Sequence, residues 1–338
     1  MPQHKVCAPN RSQPCCASSS MSSTEELTIR DLRPRDVRPL LEISEEAFSI
    51  ERQMFGGNPP GLARQIRLMA LLYPLQRRLP RPTAIALIGL VGGAPVGAVV
   101  VDPMKPSWYV NTMMVARDHR QRGYARALME ALQARATRSG ARWLLLHVRD
   151  NNAPAHKLYE SLGFHEFERR HEMLLANPGP VNSSPLPEGY VLVPRKRYDR
   201  RALAVRDASR EPEAARLEPP SRHPGIVMRA LGAFSPPADS DYQCIICGGG
   251  WVGLWDYVQS SATASVRLTV QLVPEHRGQG LERPLLERAI VRAGQSGADR
   301  LTISVGSTNR TLLAACDEVG FNTRFVRIGM ARRLGQDG

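Results

Sequence analysis

Arg120-Gln121-Arg122-Gly123-Tyr124-Ala125, followed by Asn152, Tyr159 and Gly163-Phe164, decides the reading of this chain because it occurs twice. The second copy keeps Arg277, Gly280, Asn309 and Gly320-Phe321, each 157 residues on, and carries Cys316 in place of Tyr159. Ser139-Gly140-Ala141 returns as Ser296-Gly297-Ala298 at the same offset. A constant offset over about 45 residues requires equal element lengths in both halves, hence two copies of one fold. The period is far too long for a solenoid. Wherever the copies differ, each serves as a control for the other.

A chain of 338 residues is expected to hold two domains, each able to bury its own core. Hydrophobic content of 42% and charged content of 23% suit a globular protein. The net charge is +13, and four of the 45 basic residues are Lys. Such a balance attracts anions, among them coenzyme phosphates and acidic peptides. The basic residues form no dominant block, so nucleic acid is not expected as a partner. Cys7, Cys15 and Cys16 lie in the N-terminal tail, and Cys244 and Cys247 form a lone C-x-x-C. That pair supplies two of the four ligands of a zinc site, so no metal is expected. It reads instead as buried thiols in an apolar strand over residues 242–247, in a reducing cytoplasm.

Residues 1–22 read as a disordered tail, or as upstream sequence if translation starts at Met21; they lack the apolar run of a signal peptide. A domain over residues 23–176, a Pro-rich linker over 177–187 and a second domain over 188–335 follow. Residues 84–101 are apolar, but Gly92-Gly93-Ala94-Pro95 breaks them into a hairpin of two strands rather than a membrane span.

Within the first copy the pattern predicts a strand near 27–30 and a helix opened by Pro34-Arg35-Asp36, with Val37, Leu40, Leu41 and Ile43 at helical spacing. A second helix is expected over 62–79. Strands are expected near 84–91, 96–102, 108–115, 142–148, 164–168 and 170–175, and helices over 124–138 and 152–162. In the second copy strands are expected at 190–192, 242–247, 251–258, up to Val273 and at 299–305. Helices follow Gly280 and span 309–319. Residues 206–224, charged and Pro-rich, read as a mobile loop. The order gives an α/β class, a mixed sheet with helices on both faces.

Met113-Met114-Val115 ends a strand, and the basic glycine turn from His119 to Ala125 leads into a helix. Free amides at a helix N-terminus and the helix dipole make such a turn an anion site. Gly123 lets a phosphate approach the backbone, and Arg120 and Arg122 add positive charge. The turn lacks the lysine of a P-loop and the third glycine of a dinucleotide-binding motif.

Arg120-x-x-Gly123-x-Ala125, with Asn152, Ala155, Leu158, Tyr159, Gly163 and Phe164 spaced as N-x-x-A-x-x-L-Y-x-x-x-G-F, resembles the GCN5-related N-acetyltransferase (GNAT) superfamily. Ile29-Arg30-x-x-x-Pro34-x-Asp36 looks like that family's opening strand and helix. The resemblance covers residues 25–176, and 186–332 more weakly. It implies acetyl-CoA or another acyl-CoA as donor. Val115 and the turn Arg120, Gln121, Arg122, Gly123, Tyr124 and Ala125 would hold the coenzyme, with Asn152 and Ala155 on the pantetheine side. Tyr159 would protonate the leaving thiolate, which a phenol can do at neutral pH.

The ribosomal-protein N-terminal acetyltransferases of this superfamily carry a Glu base in L-E-V-R; this chain reads Leu146-His147-Val148-Arg149. His147 is therefore the candidate base, or a histidine bonded to the backbone, with Glu45, Glu46 and Asp102 as fallbacks. Met54, Phe55 and Trp108 could line an acceptor wall or belong to the core.

In the second copy Ala125 becomes Glu282, Tyr159 becomes Cys316 and His147 becomes Ser304. A carboxylate there would repel a pyrophosphate, so this half is expected to keep the fold and lose the acid. It could instead shape the acceptor pocket. Tandem copies with one degenerate member resemble mycothiol synthase and related two-domain acetyltransferases, whose acceptors do not carry over. The expected function is acetyl transfer to an amine on a small molecule or a peptide N-terminus. The alternative is an acyl-CoA-binding regulatory module.

Overall fold

The computed structural model describes residues 26–47, 84–222, 237–260 and 264–335, with side chains omitted at 45–47. The first half contains β1 (Thr28–Asp31), α1 (Val37–Ala47), β2 (Ile85–Val91), β3 (Ala94–Pro103), β4 (Ser107–Val115), α2 (Tyr124–Arg138), β5 (Trp143–Arg149), α3 (Ala153–Ser161) and β6 (His165–Ala176). The second contains β7 (Tyr190–Pro194), α4 (Arg200–Ala208), α5 (Pro212–Leu217), β8 (Asp239–Cys247), β9 (Gly250–Gln259) and β10 (Ser265–Leu272). It continues with α6 (Glu282–Ser296), β11 (Arg300–Gly306), α7 (Arg310–Glu318) and β12 (Asn322–Arg333). The expected helix over 62–79, like Met54 and Phe55, lies outside the described residues, as do the side chains of Glu45 and Glu46.

Arg30 and Asp36, read from sequence as an opening motif, hold β1 against α1. The Arg30 guanidinium donates to both Asp36 oxygens at 2.7 and 2.9 Å, and the Arg33 amide donates to the same carboxylate at 2.7 Å.

All strands belong to one 12-stranded sheet, in the order β1-β2-β3-β4-β5-β12-β6-β11-β10-β9-β8-β7. The last strand of each half is exchanged: β12 pairs antiparallel with β5, and β6 pairs antiparallel with β11. The two exchanged strands also pair with each other, Arg327 facing Arg170. These are the same position of the repeat, and the partners on either side map onto one another at the 157-residue offset, Gly329↔Glu168 onto Phe325↔Glu172. A pseudo-twofold axis therefore passes between β6 and β12.

On one face of the sheet α2 and α3 cover the first core and α6 and α7 the second. Each core borrows from the other half: Ile328 and Met330 of β12 pack with Leu128, Met129 and Leu146, while Met173 of β6 packs with Leu285 and Ile303. On the opposite face α1 lies over Ile88, Ala98 and Met114, and α4 over Cys244 and Leu254. The C-x-x-C pair thus lies in a strand, as expected. Trp108, a candidate for an acceptor wall, is buried in the first core.

Two expectations are corrected. Strands near 164–168 and 170–175 are one continuous strand, β6, because both of its edges are paired. Residues 206–224 do not form a plain loop. They include the end of α4 and all of α5, capped by the Asp199 carboxylate accepting from the Arg201 amide at 2.9 Å and opened by Pro212 in the first turn of α5. Ala202, Val205, Ala214 and Leu217 are buried at three-residue spacing, a stripe narrow enough for the surrounding charges to mask it. Through α5 the second half reaches the first: Ala214 and Leu217 pack on Leu145, Phe167 and Ala331.

Candidate active site

β4 and β5 run parallel and are paired from Ser107↔Trp143 to Val110↔Leu146. Beyond that point β4 bonds only to β3 and β5 only to β12, so the two strands part and leave a cleft between them. The glycine turn stands at the end of β4 beside this cleft. Arg120 Nε donates to the Val115 carbonyl at 3.1 Å and folds the turn back on the strand. Gln121 (φ 61°) and Gly123 (φ 81°) are both left-handed. A non-glycine residue pays about 1 kcal/mol for that conformation. A Cβ on Gly123 would meet nothing within 4 Å, and the amides of Gly123, Tyr124 and Ala125 donate to nothing among the described residues. An open cradle of amides at the start of a 15-residue helix is a place for a phosphate.

The second turn repeats this backbone. Gly278 (φ 71°) and Gly280 (φ 79°) are left-handed at matching positions, and Arg277 Nε donates to the Leu272 carbonyl at 3.2 Å. This turn carries a carboxylate of its own, however. Buried Glu282 accepts from the Gly278 amide at 2.7 Å and from the Thr311 hydroxyl at 2.8 Å. The chain therefore supplies its own anion where the first copy has Ala125, and Thr311 replaces Pro154. Pro187 lies 3.6 Å from where a Gly280 Cβ would stand. Leu186 and Val181 of the linker pack on the second core, and the Ser184 amide donates to Glu287 at 2.9 Å. Glu282→Ala leaves the Gly278 amide without its acceptor and the Thr311 hydroxyl with only Asn309 Oδ1 at 3.2 Å. We expect a loss of about 2 kcal/mol, read as a lower urea midpoint at unchanged m-value.

Two of the residues kept in both copies have structural contacts. Asn152 Oδ1 accepts from the Ala155 amide at 3.3 Å and caps α3; Asn309 caps α7 through Leu312 at the same distance. Arg120 and Arg277 brace their turns alike. Other positions differ between the copies, Tyr159 against Cys316 among them. Tyr159 is buried beside Phe164, burial pushes its phenol up to about 12, and its hydroxyl has no hydrogen-bond partner among the described residues. Cys316 at the matching position is fully buried, and burial pushes its thiol up to about 12.

His147 is held from both sides. Nδ1 lies 2.8 Å from the Tyr109 hydroxyl, and Nε2 lies 2.7 Å from Glu168 Oε1. Burial pushes the Glu168 carboxyl up, but the His147 hydrogen bond and the charges of Arg170 and Arg327 outweigh it and hold the group below the usual carboxylate range. Burial raises Tyr109. Glu218, just past α5, is raised by burial and by the Glu168 charge. Asp102, a fallback base, faces Tyr109 across the β3–β4 pair and is raised by burial against a hydrogen bond from Asn111. Local motifs could not find Tyr109, Glu168 or Glu218, because Glu168 comes from the exchanged strand and Glu218 from the other half.

The Acetyltransferase (GNAT) family model matches residues 46–164. No curated protein matches the chain in sequence. Among solved structures, a tandem GNAT protein from the clavulanic acid biosynthesis pathway aligns over 93% of this chain and 100% of its own at 16% identity, TM-score 0.58. A GCN5-related N-acetyltransferase from Sphaerobacter thermophilus aligns over 91% and 95% at 15% identity, TM-score 0.61. A GCN5-related glucosamine N-acetyltransferase region of a fungal multi-domain β-N-acetylglucosaminidase aligns over 91% of this chain and 38% of its own at 14% identity, TM-score 0.60. Residues 46–164 match the acetyltransferase (GNAT) family, and over its whole length the chain has the fold of tandem GNAT proteins, with Glu282 set into the glycine turn of its second copy. The family match supports N-acyltransferase activity as a class. Among the described residues no helix is long and apolar enough to cross a membrane.

Proposed function

We propose that this protein transfers an acetyl group from acetyl-CoA to an amine, in the cytoplasm, at one active site in its first half. The observation that carries this reading is the contrast between the two turns. One cradle is open, with Ala125 at its rim and, on α3, a Tyr159 phenol that has no hydrogen-bond partner among the described residues. In the other, Glu282 stands in the place of Ala125 and accepts from the Gly278 amide. In this reading the amides of residues 122–125 hold the pyrophosphate, the pantetheine arm enters the cleft between β4 and β5, and Tyr159 gives its proton to the departing thiolate. Asn152 acts by starting α3 and so placing Tyr159.

Calorimetry with acetyl-CoA tests it. We expect one site per chain, lost with Gly123→Glu and retained with Gly280→Glu. Two sites, or loss only with Gly280→Glu, would move the active half. CoA release with an amine panel, glucosamine and peptide N-termini included, separates turnover from a regulatory binding module.

A further inference from the structure

We propose that Tyr109, His147 and Glu168 form a single proton relay that takes the proton of the acceptor amine, and that Gly329 makes it possible. The proposal rests on the acyltransferase reading above. The three groups come from three strands: β4 gives Tyr109, β5 gives His147 and β6 gives Glu168. β5 and β6 are not neighbours, since β12 runs between them, with Gly329 opposite His147 on one side and Glu168 on the other. His147 and Glu168 meet across this glycine at 2.7 Å. A Cβ at position 329 would stand 2.6 Å from Glu168 Cγ and 2.9 Å from the Phe167 ring, closer than carbon atoms approach. The bridge therefore needs a residue without a side chain there. The repeat gives the comparison. Position 329 corresponds to Glu172, and His147 to Ser304. In the second half Glu172 itself bonds Ser304 at 2.8 Å, a contact that holds no imidazole.

The hydrogen bonds set the direction of transfer. An ionised Glu168 only accepts, so Nε2 carries the imidazole proton. Nδ1 then accepts from the Tyr109 hydroxyl. Both ring nitrogens are engaged, which leaves the Tyr109 oxygen as the exchange point with an acceptor. Tyr109 stands beside Val110, the last residue of β4 paired with β5, at the mouth of the cleft. As the amine nitrogen bonds the thioester carbon, the C–S bond breaks and Tyr159 protonates the sulfur. The proton lost by the amine goes to the Tyr109 oxygen while the Tyr109 proton passes to Nδ1. The result is an imidazolium held against the Glu168 carboxylate, the support a buried carboxylate gives a catalytic histidine. Exchange with water returns a proton to Tyr159 and removes the one on His147. Arg170 and Arg327 flank Glu168 and keep it ionised, while burial, with the charges of Glu218, Glu168 and Asp102 set against that of Arg327, disfavours a resting Tyr109 phenolate. Tyr109 therefore passes protons and does not store a charge. In this scheme Tyr109 is catalytic, and His147 and Glu168 are positioning residues.

Two measurements on the full chain test the relay. Nitrogen-15 NMR of the imidazoles, assigned with His147→Gln, should show the Nε2–H tautomer for His147 in the wild type. Gly329→Ala and Glu168→Gln should shift it towards a mixture, whereas an Nδ1–H tautomer in the wild type overturns the relay. With an amine that turns over, Tyr109→Phe should lower kcat about 100-fold at unchanged acetyl-CoA KM, and the deficit should shrink as pH nears the amine's own pKa. A Tyr109→Phe enzyme with the wild-type pH profile overturns the relay and leaves the acyltransferase reading standing. A wild type that releases no CoA with any amine overturns that reading and the relay's role together.

Discussion

A chain ending at Phe321 should lose acetyl-CoA binding, although every residue proposed to bind coenzyme lies in the first half. Removing β12 takes the antiparallel partner from β5 along Arg327–Arg333 and the central partner from β6. It also takes Ile328, Met330 and Ala331 out of the first half's clusters. Burying side chains the size of Ile328 and Met330 contributes about 2 to 5 kcal/mol each, and a domain is stable by about 5 to 15 kcal/mol in all. The truncated chain should express as insoluble or loosely packed protein, with far-UV circular dichroism partly kept and near-UV signal lost. A single proteolytic cut within residues 177–187 should do far less. The halves should stay together on size exclusion, because four adjacent strands hold them by β5–β12–β6–β11 pairing. Soluble truncated protein with normal acetyl-CoA affinity would show the exchange to be dispensable.

Tyr159→Phe should reduce kcat by about 100-fold or more while acetyl-CoA still binds, since only the hydroxyl is lost and the ring keeps its place beside Phe164. Unchanged turnover would remove Tyr159 from the mechanism. The same residue sets an alkaline limit on stability. An unfolded tyrosine ionises near pH 10, whereas native Tyr159 holds its proton to about 12. The folded-state value is raised, so the stabilisation is full below pH 10 and is lost as pH rises towards 12, by about 3 kcal/mol for two units. Cys316, raised from 9.0 to about 12, acts in the same direction from pH 9 upward. Alkaline unfolding followed by fluorescence should be less steep between pH 10 and 12 for Tyr159→Phe than for the wild type.

The repeat made most of this fold legible. β5, α3 and β6 return as β11, α7 and β12 with bounds displaced by the same 157 residues. The open turn was legible from Gly123 and Ala125, and the damage to the second from Glu282. That this carboxylate would occupy the turn was not legible, because the contact to Gly278 depends on left-handed backbone that no residue code announces. Arg120 and Asn152, read as ligand contacts, also brace the turn and cap α3. Their survival in the degenerate copy already pointed that way. The surroundings of His147 were hidden for a topological reason. A local strand pattern cannot tell which strand lies beside which, so Gly329 and Glu168 had no visible connection with residue 147.

Arg170 faces Arg327 as a residue faces its own image in a homodimer. In such a dimer every substitution appears on both sides of the axis at once, so a carboxylate that enters one glycine turn would enter both. A single polypeptide lifts that constraint. Ala125 and Glu282, or Gly329 and Glu172, are free to be different residues at one structural address. The linker therefore confers genetic independence on the two copies: one is free to change its glycine turn while the other completes its sheet.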